Sequence, residues 1–260
     1  MIERKILLFL VEGKSDEASL APALEQIVAE KAKFKIMSCD ITSDLDSTPK
    51  NIESRVRRLG VKRFLKKNSQ FRESDLCGVV HIVDTDGVFA NDDLVQKDDE
   101  ASGVMYYKDK ILERSEAYEL FLKSRTNKRA NLSRLLLLRE LKLKDKLSVP
   151  YEVYYNSCNL DHVLHDKRNC TKEEKRLNSE KFALSYSNPA KFIAFFEDKA
   201  VKADGDYLAT WNFIKEGNNS LMRHSNLSIC IKRHRGAKED SDQKKQPSES
   251  EMDKPFSQDA

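Results

Sequence analysis

Ile6-Leu7-Leu8-Phe9-Leu10-Val11-Glu12-Gly13-Lys14-Ser15-Asp16-Glu17 runs six apolar residues straight into charge. An unbroken apolar run of this length, with no polar alternation, is the pattern of a strand covered on both faces, as in the middle of a parallel sheet. From Ser15 to about Lys31 the period changes, and Leu20, Leu24, Ile27 and Val28 recur at helical spacing. Glu12 and Asp16 therefore bracket a strand-to-helix corner, the place where ligands collect in an open α/β sheet. Two other readings compete. Gly13-Lys14-Ser15 could close a phosphate-cradling loop, but that loop needs a glycine five positions before Gly13, where Leu8 stands inside the apolar run. Alternatively, Asp16 and Glu17 simply favour the helix dipole, with Ser15 as N-cap.

The same pattern returns downstream. Gly78-Val79-Val80-His81-Ile82-Val83 reads as a second buried strand and runs into Asp84-Thr85-Asp86-Gly87. Asp84 and Asp86 flank one residue and can share a side of the strand end, and Gly87 permits a sharp exit. Such a pair suits a divalent cation, although an Asp-x-Asp also occurs in ordinary surface loops. Phe34 to Cys39 and Val149 to Tyr155 supply two more strands, the latter with Pro150 confined to its start. A polar loop, Asp40 to Lys50, leads into a basic helix from Ile52 to Lys67, with Val56, Leu59 and Phe64 on its apolar side. This alternation predicts right-handed crossovers and an α/β fold with a mainly parallel sheet flanked by helices.

The spacing divides the chain into a domain over residues 1–165, a helical extension over 166–233 and a disordered tail over 234–260. Within the first, residues 90–146 form an insertion too long for an ordinary loop. It opens with an acidic, mobile segment, Asn91 to Ser102, and continues as two helices, Tyr107 to Lys123 and Asn131 to Lys144. Between and along them lie Lys123, Arg125, Lys128, Arg129, Arg134 and Arg139, dense enough to track a phosphate backbone, or else a solvated helix face. Lys172 to Ile214 reads as helical, with Phe182, Phe192, Phe195 and Phe196 as core.

Composition narrows the classes. The chain has 260 residues with 46 Lys and Arg against 43 Asp and Glu, so a net charge of +3 gives no global attraction to nucleic acid. Five cysteines with no C-x-x-C pair argue against a zinc module or a disulfide framework. The first apolar run is too short for a signal peptide, and no stretch approaches a membrane span. A protein of the reducing cytoplasm, with no membrane partner, is expected.

Taken together, Leu10-Val11-Glu12-Gly13-Lys14-Ser15-Asp16-Glu17 and Ile82-Val83-Asp84-Thr85-Asp86-Gly87 resemble the two signatures of the Toprim domain of topoisomerases, primases and several nucleases. The resemblance covers about residues 4–165. Asp16, four residues after Glu12, is most similar to the nuclease branch typified by the OLD (overcoming lysogenization defect) proteins and small related antiphage proteins. It implies a Rossmann-like Toprim sheet and a nuclease using Mg²⁺ or Mn²⁺, two ions, to cut DNA or RNA, tRNA included. Glu12 would be metal ligand or general acid/base, and Asp16, Asp84 and Asp86 metal ligands. Asp161, in Asn159-Leu160-Asp161-His162, would be a further ligand after the fourth strand. Lys14, Arg125, Lys128 and Arg129 are the candidate nucleic-acid contacts. OLD proteins usually carry an ATPase domain ahead of the Toprim domain, and no P-loop stands here, so a separate ATPase or a phage trigger protein is the implied partner.

Two alternatives remain open. Val83-Asp84-Thr85-Asp86-Gly87 also resembles the first motif of haloacid-dehalogenase-type phosphatases, which need a later acidic pair such as Asp204 and Asp206. The other is a Toprim fold retained as a non-catalytic binding or sensor module. His162 and His165, three apart on one helical face, admit a metal role or a structural one. Asn218 to Asn226 admits a partner contact or a capped loop.

Overall fold

The computed structural model describes residues 5–144 and 146–236, so the tail expected to be disordered lies almost wholly outside the described residues. In chain order, β1 (Ile6–Val11), α1 (Lys14–Val28) and β2 (Lys33–Ser38) form the first crossover. A continuous rod follows: α2 (Ile52–Arg55), a π-helical stretch (Val56–Lys62) and α3 (Arg63–Lys67). Its bounds match the expected basic helix. Gly60 lies so close to β1 that a Cβ there would stand 2.7 Å from Leu10 Cδ1. Then come β3 (Leu76–Asp84), β4 (Val95–Lys97), β5 (Met105–Tyr106), β6 (Ile111–Glu113), α4 (Tyr118–Leu136), β7 (Glu140–Lys142) and β8 (Ser148–Asn156). The remainder is α5 (Leu160–His165), α6 (Lys172–Ser185), α7 (Pro189–Glu197), α8 (Tyr207–Phe213) and α9 (Leu227–His234).

The fold is α/β. Its main sheet has the order β2-β1-β3-β8-β7, the first four strands parallel and β7 antiparallel at the edge. Strand alternation explains the unbroken apolar run in β1. Ile6, Leu8 and Leu10 face a core shared with the rod, α4 and Trp211, whereas Leu7, Phe9 and Val11 face α1, α6, α7 and α9. Each such side chain, buried in full, contributes about 1.5–3 kcal/mol. Residues 166–233 supply helices to the same layers, with α6 and α7 against α1 and α9 against β8. Among the described residues, no helix is long and apolar enough to cross a membrane.

The insertion departs from expectation. Tyr107 to Lys123 is not one helix: Ile111–Glu113 is the middle strand of a small sheet of order β4-β6-β5, and helix begins only at Tyr118. The acidic segment is ordered around β4, with Asp99 accepting hydrogen bonds from the backbone and hydroxyl of Ser115. Asn131 to Lys144 is the end of α4 followed by β7, in which Leu141 is buried between exposed Glu140 and Lys142. Short charged strands of this kind close sheet edges.

A cluster on β8 fastens the last helix. Glu152 is half-buried, which raises its pKa, but hydrogen bonds from His234, Arg233 and Tyr154 more than offset this and hold it at about 2. A folded value below the unfolded 4.5 stabilises the protein above pH 4.5, and that stability is lost as pH falls toward 2. After discounting for solvent screening, about 1–2 kcal/mol is expected. Thermal unfolding of Glu152→Gln should therefore show a melting temperature several degrees lower at pH 7. The gap to wild type should close below pH 4.5.

Candidate active site at the carboxyl end of the sheet

From β1 the chain crosses to β2 on one side and then returns to β3 on the other, so the direction of winding reverses between β1 and β3. Open α/β sheets bind ligands at that switch point, beyond the carboxyl ends of the strands. Glu12 follows β1 directly, and Asp84 is the last residue of β3. Both line one pocket of about 660 Å³ together with Asp16, Asp86 and Asp40. Tyr106, Arg168, Lys172 and Lys175 line it as well.

Local chemistry places each acid. Helix α1 starts at Lys14, and its N-cap is Gly13, two residues before the Ser15 cap that the sequence suggests. Asp16 is the third helical residue and reaches back, its Oδ2 accepting from Gly13 N at 2.8 Å. The capping and the site readings of Asp16 thus both hold, because a carboxylate that caps α1 also faces the pocket. Thr85 points the other way: it is fully buried, and its hydroxyl donates to the Ser220 carbonyl and accepts from Cys158 N. The chain then turns through Asp86 and Gly87 at φ 46° and 60°. A Cβ at Gly87 would lie 2.4 Å from Leu221 Cδ2, so both the turn and the space require glycine.

The acids share a buried cation that the sequence did not place among them. Lys128 on α4 is 2% exposed, and its ammonium lies 3.1 and 3.2 Å from the two Glu12 oxygens and 2.5 Å from Asp86 Oδ2. Thr42, also buried, donates its hydroxyl to Glu12 Oε1 at 2.8 Å. The negative charge still predominates. Burial pushes the Glu12 carboxyl up to about 8, with Asp40 and Asp86 adding to it and Lys128 and Thr42 opposing. Asp84 is raised well above the usual carboxylate range by burial and then by Asp16, Glu12 and Asp86. Asp16 is raised as well, by burial first. Burial disfavours the Lys128 ammonium, yet the adjoining Asp86 and Glu12 carboxylates hold its pKa above that of an ordinary lysine.

Other candidates are placed differently. Asp161 comes near Asp16, but it is buried off the pocket lining and pairs with Lys175 at 3.4 Å. Arg125 and Arg129 do not face outward, since both hold Asp92, and they donate to the Ala90 and Val88 carbonyls respectively. Arg125 and Lys128 are buried on the inner face of α4, and half-buried Arg129 is engaged by Asp92, so as they stand these residues offer no free charge to a phosphate backbone. Lys14 is exposed beside the pocket. His162 is buried, and burial lowers its pKa to about 4; the His165 ring meets Phe182 edge-on, and neither histidine lines the pocket. Asp206 caps α8 through Ala209 N, and neither Asp204 nor Asp206 reaches the pocket. The Asn218 to Asn226 loop is an internal buttress. Asn226 accepts from Tyr155 N, the Ser225 hydroxyl donates to the Tyr155 carbonyl, and the Ser220 carbonyl accepts from Cys158 N.

The donor set is all oxygen, which suits a hard divalent cation, and its unneutralised charge would be relieved by one. Among the described residues no three carboxylate, imidazole or thiol groups converge on one point, and the Lys128 ammonium stands between Glu12 and Asp86. No family model, curated protein or solved structure matches the chain.

Proposed function

We propose that the chain is a metal-dependent phosphodiester hydrolase acting on DNA or RNA, with a Toprim-like site. The observation that carries this reading is the meeting of Glu12, Asp16, Asp84 and Asp86 around one pocket at the β1/β3 switch point. Asp84 and Asp16 are the residues that would hold the cation. When bound there, a divalent ion supplies Lewis-acid polarisation of a phosphoryl oxygen and acidifies a water. Glu12 takes the general acid/base role, because its carboxyl lines the same pocket beside the cation-holding pair and burial favours its protonated form. Arg168, Lys172 and Lys175 line the same pocket, Lys175 from its pair with Asp161, and suit the charge of a phosphate. Exposed Arg58, Lys62, Arg63, Lys66 and Lys67 on the rod replace the inward-turned residues of α4 as the surface for a nucleic-acid backbone.

The test is cleavage of plasmid DNA, single-stranded DNA and total tRNA with Mg²⁺ or Mn²⁺ by wild type, Glu12→Gln and Asp84→Asn. Metal-dependent cutting of one substrate, lowered at least about 100-fold in both variants, is expected. Cutting that survives both substitutions would overturn the assignment.

A further inference from the structure

We infer that the site takes a single divalent cation, held on the Asp16 and Asp84 side, and that the Lys128 ammonium permanently fills the place of a second ion between Glu12 and Asp86. This rests on the hydrolase reading above and departs from the two ions that the sequence resemblance implies.

The first argument is the use of donors and acceptors. An ammonium has three N–H donors. Those of Lys128 face three oxygens, both of Glu12 and Oδ2 of Asp86. A divalent ion bridging Glu12 and Asp86 would need a Glu12 oxygen, and both already face the ammonium. Asp16 and Asp84 are different. Neither has an ion pair within 4.0 Å among the described residues, though Lys175 lies near both; Asp16 accepts from Gly13 N and, at 3.3 Å, from the Ser15 hydroxyl, and the Asp84 side chain meets the Asn156 amide at 3.4 Å. Magnesium is commonly bound by one or two carboxylates, with waters and substrate phosphates completing its shell, so this pair, with no ammonium lodged between its members, is enough for one ion.

The second argument is that Lys128 is a fixture and not a mobile latch. Its helix is fastened on both sides of it. Arg125 and Arg129 hold Asp92 and the carbonyls of Ala90 and Val88. Asn127 and Asn131 donate to the Ser47 carbonyl, and Asn131 also to that of Thr42, whose hydroxyl reaches Glu12. The segment that positions Glu12 and the helix that positions Lys128 are therefore one hydrogen-bonded unit. A lysine held this way keeps its charge in place whether or not substrate is present.

Counting bound Mn²⁺ by the electron paramagnetic resonance of the free ion, with folding checked by circular dichroism, tests the inference on the full chain. Wild type should bind one ion, and Lys128→Arg, which keeps the charge, should bind one. Lys128→Met should gain a second site at least tenfold tighter than any second binding by wild type. Asp84→Asn should lose the first. Two ions of similar affinity on wild type would overturn the proposal, as would a folded Lys128→Met that binds only one. Should Lys128→Met not fold, Lys128→Gln gives the same comparison, and the wild-type count is decisive by itself. The outcomes separate the two readings: one ion on wild type and two on Lys128→Met, with no nucleic acid cut, would defeat the hydrolase reading alone. No Mn²⁺ on any variant would defeat both.

Discussion

Asp92→Ala should lower stability by about 2–4 kcal/mol, a fall of about 5–10 °C in melting temperature, although Asp92 lies on the surface of the insertion. The cost comes from what remains. Asp92 Oδ1 accepts from Arg125 Nε at 3.1 Å and from Arg129 Nη2 at 2.9 Å. The Arg125 side chain is only 1% exposed, and burial already lowers its pKa. Without Asp92 its charge keeps one carbonyl partner, Ala90, in a site that water does not reach. Breaking one side of a buried ion pair costs more than the pair contributes, because the orphaned charge stays desolvated. Asp92 is itself 38% exposed, which places the loss below that of a fully buried pair. Thermal unfolding beside Asp93→Ala makes the comparison. Asp93 is exposed, and its loss should change stability by about 0.5 kcal/mol or less. Equal effects of the two substitutions would refute the account.

The same residues show where the sequence is readable and where it is not. β1 and β3 are legible because a strand buried on both faces must be continuously apolar, and the acids at its end then fall at the sheet's carboxyl edge whatever the rest of the chain does. β4, β5 and β6 are not legible, since strands of two or three residues carry too few positions to show a period. The break expected near residues 124–130 has a different cause. Ser124, Thr126 and Asn127 are weak helix formers, so local preference suggests a linker. The helix continues because the buried side chains of Arg125, Lys128 and Asn131 each find a partner from elsewhere in the chain. Local propensity thus loses to tertiary contacts, and a basic run that reads as outward-facing turns inward. Lys128 belongs to the site through Glu12, 116 positions away, and Asp86, 42 positions away, and no spacing within the insertion encodes that. Asp16 is the opposite case: its N-terminal position on α1 is readable, and it serves the cap and the pocket together.

Glu12→Gln should stabilise the protein in the absence of divalent ions, by about 2–4 kcal/mol at pH 8 and above, while removing cleavage. The folded protein raises this carboxyl from 4.5 to about 8, chiefly through burial. Between those values the folded state holds a proton that the unfolded state has released, so stability falls as pH rises through the interval. Below 4.5 both states are protonated and the penalty is absent; above about 8 it is complete. Glutamine is neutral throughout and close in shape to the protonated acid, so the variant should melt with wild type near pH 4.5 and progressively above it toward pH 8. Lys128 loses its Glu12 contacts and keeps Asp86, which reduces the gain and places it below the full effect of the pKa shift. Divalent cation acts in the opposite sense. By binding the folded state of wild type it offsets the repulsion among the acids, so Mg²⁺ or Mn²⁺ should narrow the gap at pH 8. Melting curves across this pH range, with and without Mn²⁺, would contradict the argument if the variant were less stable than wild type at pH 8 without metal. Mn²⁺ that raised the melting temperature of neither protein would mean that the acidic cluster is not a cation site. The residue expected to do the chemistry is therefore one whose removal should make the metal-free fold more secure, as a site that concentrates carboxylates for a ligand requires.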